Sequence, residues 1–268
     1  MTTTSWSGYR QAMGPASEMG YALVTAQGAM YGFGSLGSEW ADPVFADEIG
    51  GLAFTPSGRG CWLVSRGGAV VSRGDAPSFG SPKDMGVVVP VAAVAAPPNG
   101  IGFYVAVEDG GVYTFGSAGF FGSVKGSDLN EPIVDIAMRP TGDGYWMLAA
   151  DGGVFALGAA PYCGSGAEAS LVSPAVSIAG TPSGLGYWMA TRDGDVLTFG
   201  DAVDFGCLAD LGVSAPVIGM RSSRYVLGYW MANSAGMVRA FGDTYFLGSA
   251  PPATLTPEFA VFGAAGAV

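Results

Sequence analysis

Short apolar runs separated by Gly-rich turns recur along the chain at a nearly fixed interval. In the run from Gly144 to Gly158, the blocks Tyr145-Trp146-Met147-Leu148-Ala149-Ala150 and Val154-Phe155-Ala156-Leu157 flank Asp151-Gly152. Equivalent runs open at Gly20, Gly60, Gly102, Gly144, Gly186 and Gly228, giving spacings of 40, 42, 42, 42 and 42 residues. Such runs are short, rich in aromatic residues and bounded by turn residues, so they predict strands. Self-similarity at this period predicts a propeller or a related array.

The offsets from each opening Gly carry the detail. At +1 and +2 stand Tyr21-Ala22, Cys61-Trp62, Phe103-Tyr104, Tyr145-Trp146, Tyr187-Trp188 and Tyr229-Trp230. Neighbouring residues on a strand point to opposite faces. Two consecutive aromatics therefore need cover on both sides of the sheet, which a blade packed between two others provides. At +8 all six repeats have Gly, preceded by Asp109, Asp151 or Asp193 in three of them. Asp-Gly between strands predicts a type I′ hairpin. A second set of glycines at +14, from Gly34 to Gly242, predicts a corner leading into a short fourth strand. Upstream of each opening Gly lies a small-residue strand such as Ile133–Met138, followed by a Pro-containing turn. The expected fold is all-β: a six-bladed β-propeller of four-stranded blades, small-residue strand innermost.

The two ends compete for one place. Residues 258–264 have the spacing of one inner strand too many, and residues 9–13 lie where the first blade's own inner strand belongs. The C-terminal segment is much the more apolar, so it is expected to close the first blade. Residues 1–19 then form an N-terminal arm and residues 20–268 the propeller.

Composition sharpens this picture. Hydrophobic residues make up 49% of the 268 and charged residues only 12%, against about 25% charged in an ordinary soluble domain. The longest apolar run, Val87 to Ala96, is broken by Pro90 and falls well short of the roughly 20 residues of a spanning helix. Strands buried on both faces explain the excess, and no membrane insertion is expected. A net charge of −11 with scattered basic residues disfavours nucleic acid as a partner. Cys61, Cys163 and Cys207 sit at different offsets with no CxxC spacing, which reads as buried free thiols, with a Cys163–Cys207 bridge between neighbouring blades as the alternative. The N-terminal residues lack the basic and apolar regions of a secretory signal.

Candidate chemistry is sparse. The chain has no His, which excludes Ser-His-Asp and Cys-His arrangements and the usual zinc sites. Gly-rich stretches such as Gly100-Ile101-Gly102 precede strands instead of helices, so no nucleotide cradle is expected. Carboxylates remain. Asp109, Asp151 and Asp193 are explained by their turns, while Asp128, Glu131 and Asp135 form a local group without calcium-loop density. No cofactor and no metal are expected, and a carboxylate-based hydrolase is the lesser alternative to a non-enzymatic role. The position at +6, just before the hairpin turn, varies freely: Ala26, Arg66, Glu108, Ala150, Arg192 and Ser234. A partner is expected on this face. Trp40 and Arg66 are the anchors, since Trp and Arg dominate interface energy; Glu108 and Arg192 stand beside them, and Trp6 lies on the arm.

The run Gly-Tyr-Trp-Met-Leu-Ala-Ala-Asp-Gly-Gly-Val-Phe-Ala-Leu-Gly-Ala-Ala-Pro-Tyr-Cys-Gly-Ser over residues 144–165 resembles a repeat abundant in actinobacterial extracellular proteins and in tail proteins of their phages. The usual form of that repeat is GYWLVAADGGVFAFGDAPFYGS. The resemblance covers residues 20 to about 250 and is closest in the last four repeats. It implies a propeller used for display and contact, and it brings no catalytic residues. On that resemblance the chain is expected to be a phage minor tail protein near the tail tip, part of a larger assembly that contacts other virion proteins or the host envelope. The alternative is a secreted or surface propeller that binds cell-envelope glycan.

Overall fold

The structure, a computed structural model, describes residues 20–26, 28–36, 45–98, 101–169, 171–250 and 259–265. Among these, eighteen strands make six three-stranded antiparallel sheets, a propeller-like arrangement. Gly20–Thr25 (β1) and Met30–Gly34 (β2) belong to the first sheet. Ile49–Phe54 (β3), Cys61–Ser65 (β4) and Val70–Arg73 (β5) form the second, and Val91–Ala95 (β6), Gly102–Val107 (β7) and Val112–Gly116 (β8) the third. Ile133–Met138 (β9), Gly144–Ala149 (β10) and Val154–Gly158 (β11) form the fourth. Ala175–Gly180 (β12), Gly186–Thr191 (β13) and Val196–Gly200 (β14) make the fifth. Val217–Ser222 (β15), Gly228–Asn233 (β16) and Val238–Gly242 (β17) make the sixth. The last strand, Phe259–Ala265 (β18), lies antiparallel to β1 and completes the first sheet, with Gly20 opposite Ala265 and Leu23 opposite Phe262. The expected N-terminal arm lies outside the described residues.

The middle strands carry the core. Tyr145 and Trp146 on β10 are both fully buried, yet they belong to different clusters. Tyr145 packs with Tyr104 and Ile136 between the third and fourth sheets, and Trp146 with Ile178 and Tyr187 between the fourth and fifth. The same division recurs around the molecule, and one cluster joins Trp230 of the sixth sheet to Tyr21, Leu23 and Phe262 of the first. The alternation of faces along a strand thus turns each aromatic pair into two intersheet contacts.

The expected fourth strand is absent from the last five repeats; in the first repeat its place lies outside the described residues. The segments after Gly74, Gly116, Gly158, Gly200 and Gly242 are irregular, held by side chains where a backbone ladder was expected. Trp62, Trp146, Trp188 and Trp230 each donate their indole N–H to the carbonyl fifteen residues on, at 2.7–2.8 Å. Tyr145, Tyr187 and Tyr229 donate their hydroxyls to Gly122, Gly164 and Gly206 of the preceding repeat, at 2.5–2.6 Å. Tyr21 does the same to Gly248, across 227 residues. In the pairs Tyr145-Trp146, Tyr187-Trp188 and Tyr229-Trp230, the Trp tip therefore pins its own outer segment and the Tyr tip the neighbour's. Gly164 has φ 130°, outside the range of an ordinary ladder residue.

Two recurrent glycines have separate causes. At Gly144 a Cβ would stand 2.5 Å from the Leu157 carbonyl oxygen, so the opening Gly is required by close backbone approach. Gly158, opposite it, adds φ 70° to the same crowding. The hairpin turns also differ from expectation. Val107 N–H bonds to Gly111 O and Gly110 N–H to Val107 O, which leaves a three-residue loop with Gly110 at φ 85° in place of a two-residue type I′ turn. Asp109 serves this turn by accepting the Gly111 N–H at 2.9 Å. All three cysteines are free, but only Cys61 is buried; Cys163 and Cys207 are half-buried because they stand on the irregular outer segments.

Two outcomes follow from this packing. Gly144→Ala should destabilise the fold by about 1–3 kcal/mol, read from urea denaturation; an unchanged midpoint would contradict the crowding. Burial pushes the Tyr21, Tyr145 and Tyr187 hydroxyls up to about 12, with backbone hydrogen bonds opposing the shift. Because the folded values exceed the ordinary value of 10.0, stability from these groups is full below about pH 10 and is lost as pH rises toward 12. Denaturation midpoints measured across that window, together with tyrosinate absorbance, should show this fall.

Candidate functional site

The +6 position is fixed by its backbone and left free in its side chain. Arg66 N–H bonds to Glu48 O of its own sheet, and Arg66 O accepts Val91 N–H of the next. The same carbonyl link runs from Ala26 to Ile49, Glu108 to Ile133, Ala150 to Ala175, Arg192 to Val217 and Ser234 to Phe259. Six equivalent backbone junctions therefore tie each hairpin to the following inner strand. None of them needs a particular side chain.

Five of these six residues, Ala26, Arg66, Glu108, Arg192 and Ser234, line one cavity of about 520 Å³. Inner-strand residues from five of the six sheets contribute to its wall, and Glu48, just before β3, stands for the remaining one. Arg66 forms an ion pair with Glu108 of the neighbouring sheet; their side chains are 44% and 32% exposed. Arg192 is exposed, and its guanidinium has no hydrogen-bond or ion-pair partner among the described residues. The structure thus brings Arg66, Glu108 and Arg192 to one mouth. Trp6 and Trp40 lie outside the described residues.

Further along the inner strands, a second cavity of about 230 Å³ is bordered by Asp135, Ser177 and Arg221. Asp128, Glu131 and Asp135 sit on a connection into an inner strand that reads from the sequence as a solvated loop, and for Asp135 that expectation fails here. It lies on β9, is 3% exposed, and anchors a polar cluster spanning three sheets. Asp135 Oδ2 accepts Ser177 Oγ–H at 2.6 Å, Ile178 N–H at 3.0 Å and Arg221 Nη1–H at 3.1 Å. Ser177 Oγ also accepts Met220 N–H at 3.0 Å. A buried carboxylate is tolerable here because a guanidinium and two neutral donors replace its water. Asp128 and Glu131 remain exposed outside the cluster.

Arg221 and Ser177 went unnoticed in the chain, although a signal was present. At the spacing of Arg221 the other inner strands carry Ala53, Ala95, Ala137, Ala179 and Gly263. A single Arg in a register of Ala and Gly marks a departure from the repeat that demands a partner. Among the described residues no group of His, Cys, Asp and Glu has the proximity needed for a metal ion. No helix among them is long and apolar enough to cross a membrane. No protein-family model matches the chain, and no curated protein matches it.

The two ion pairs should respond differently to mutation. Arg66→Ala should change stability by less than about 1 kcal/mol, because that pair is half-exposed. Asp135→Ala should cost about 3–5 kcal/mol by leaving the Arg221 guanidinium largely buried without its counter-charge. Equal midpoints for the two variants in urea denaturation would contradict the burial of the Asp135 cluster.

Proposed function

We propose that the six sheets form a six-bladed β-propeller closed by the C-terminal strand, and that it acts by contact, without catalysis. Closure is supported by the pairing of β18 with β1, by the apolar cluster joining the sixth sheet to the first, and by the Tyr21–Gly248 hydrogen bond. The proposed role is that of a phage minor tail protein near the tail tip, bound to other virion proteins or to the host envelope. The repeat resemblance motivates the setting. One observation carries the contact role: side chains that the scaffold leaves free, Arg66, Glu108, Arg192 and Ser234, converge on one mouth. On a repeated frame, a cluster of unrepeated polar and charged side chains is where specificity is built.

The decisive measurement is mass spectrometry of particles purified from a phage that carries the gene. Peptides from this chain should co-purify with the tail proteins. Their absence from intact particles would remove the tail reading, and a saturable signal on a cell-wall glycan array would then favour the surface-protein alternative.

A further inference from the structure

The turns that lead into the middle strands carry a polar arrangement that the sixth sheet gives up. In the second sheet Thr55 Oγ1 and Ser57 Oγ donate to the two carboxylate oxygens of Asp75, at 2.8 and 2.6 Å. Thr181 and Ser183 hold Asp201 in the same way before β13. Before β16 the corresponding residues are Ser223, Tyr225 and Asp243, so an aromatic ring stands where the second hydroxyl would be. Two further positions follow it. At −3, −1 and +18 from the opening Gly, the sixth repeat has Tyr225, Leu227 and Phe246, which are 39%, 39% and 56% exposed. Every other repeat keeps at least one polar residue at these three positions.

All three stand at one end of the sixth sheet, where β16 begins, opposite the +6 residue Ser234. Leu227 O accepts Asp243 N–H at 2.8 Å, the Trp230 indole holds Tyr245 O next to Phe246, and Tyr225 lies two residues before Leu227. This end borders the first sheet. Leu247, adjacent to Phe246, donates its N–H to the Tyr21 hydroxyl at 3.0 Å, and Tyr21 follows Gly20, where the described chain begins. The nineteen residues before Gly20 therefore join the molecule beside this patch. Their aromatics, Trp6 and Tyr9, lie fourteen and eleven residues from Gly20. At roughly 3.3 Å per extended residue, both reach far beyond the about 10 Å that separates packed sheets. Their charges, Arg10 and Glu18, cancel, so the segment brings no like charge to an acidic surface.

We propose that residues 1–19 dock on this end of the sixth sheet, with Trp6 seated on Tyr225, Leu227 and Phe246. Contact between a large ring and exposed aromatic and aliphatic side chains gains from the area it removes from water. The direction is set by the neighbours of the first sheet. On one side the sixth sheet offers this apolar group, and on the other the second offers Ser57, Arg59 and Ser78 at the same positions. A patch that appears in one repeat alone is matched by an occupant that joins the chain beside that repeat. The docking does not rest on the contact role of the +6 mouth.

Methyl NMR of the full chain tests this. The Leu227 methyl groups should show nuclear Overhauser contacts to the Trp6 indole. Trp6→Ala should shift the Leu227 signals and leave those of Ile101, exposed at the same position of the third repeat, in place. Trp6→Ala and Phe246→Ala should each lower the urea denaturation midpoint, and the two losses should not add in the double variant. Should Phe246→Ala fail to fold, the Leu227 contacts decide alone. The proposal is overturned by the absence of Leu227–Trp6 contacts, by Trp6→Ala leaving Leu227 unmoved or shifting Ile101 as far, or by additive losses in the double variant. Contacts that vanish as a dimer dissociates on dilution would also overturn it, by giving the patch to a second copy.

Discussion

The fold depends on one requirement: on the four middle strands that carry two adjacent aromatics, each ring must find a separate neighbour. Because Tyr145 and Trp146 point to opposite faces and both are fully buried, β10 cannot be stable with one face in water. Removing about 150–250 Å² of aromatic surface on each side is the dominant local gain. The polar tips add direction to it. The indole N–H and the phenolic O–H must find acceptors once buried, and they find them on outer segments that have no ladder of their own. Burial and positioning are thus done by the same side chains, and this is why three strands per sheet suffice.

A second constraint separates scaffold from surface. At five of the six +6 residues, from Arg66 to Ser234, the backbone N–H and C=O are both committed, one within its own repeat and one to the next. Such a position holds its place whatever side chain it carries. Arg66 and Glu108 pair across adjacent sheets, while Arg192 stands free at the same mouth. The asymmetry of the mouth therefore rests on a nearly symmetric support. Inside, the same principle is broken once, at Asp135, Ser177 and Arg221, where the repeat's small residues give way to a cross-sheet polar cluster.

Much of this was legible in the chain. The glycine period located all six middle strands, and paired aromatics implied cover on both faces, because strand alternation is a local rule. The apolar character of residues 258–264 anticipated the pairing of β18 with β1. The outer segments were misread because their conformation is set by hydrogen bonds from Trp and Tyr fifteen to twenty-three residues away, which no local strand pattern encodes. The hairpins were read as two-residue turns since Asp-Gly suits both loop lengths, and only the Val107–Gly111 bond distinguishes them. Asp135 and Arg221 are 86 residues apart; their meeting is a property of the assembled sheets.

The pairing of β18 with β1 also bears on how the chain is made. During synthesis β1 and β2 emerge before the other described strands, while β18, the partner of β1, arrives only after the other five sheets. Until then β1 offers an open ladder edge, and Tyr21 and Leu23 lack Phe262. An apolar hairpin waiting through most of translation is a target for mispairing with another nascent copy. The entropic cost of bringing β18 back to β1 grows only slowly with the length between them, so the delay is a hazard of timing more than of equilibrium.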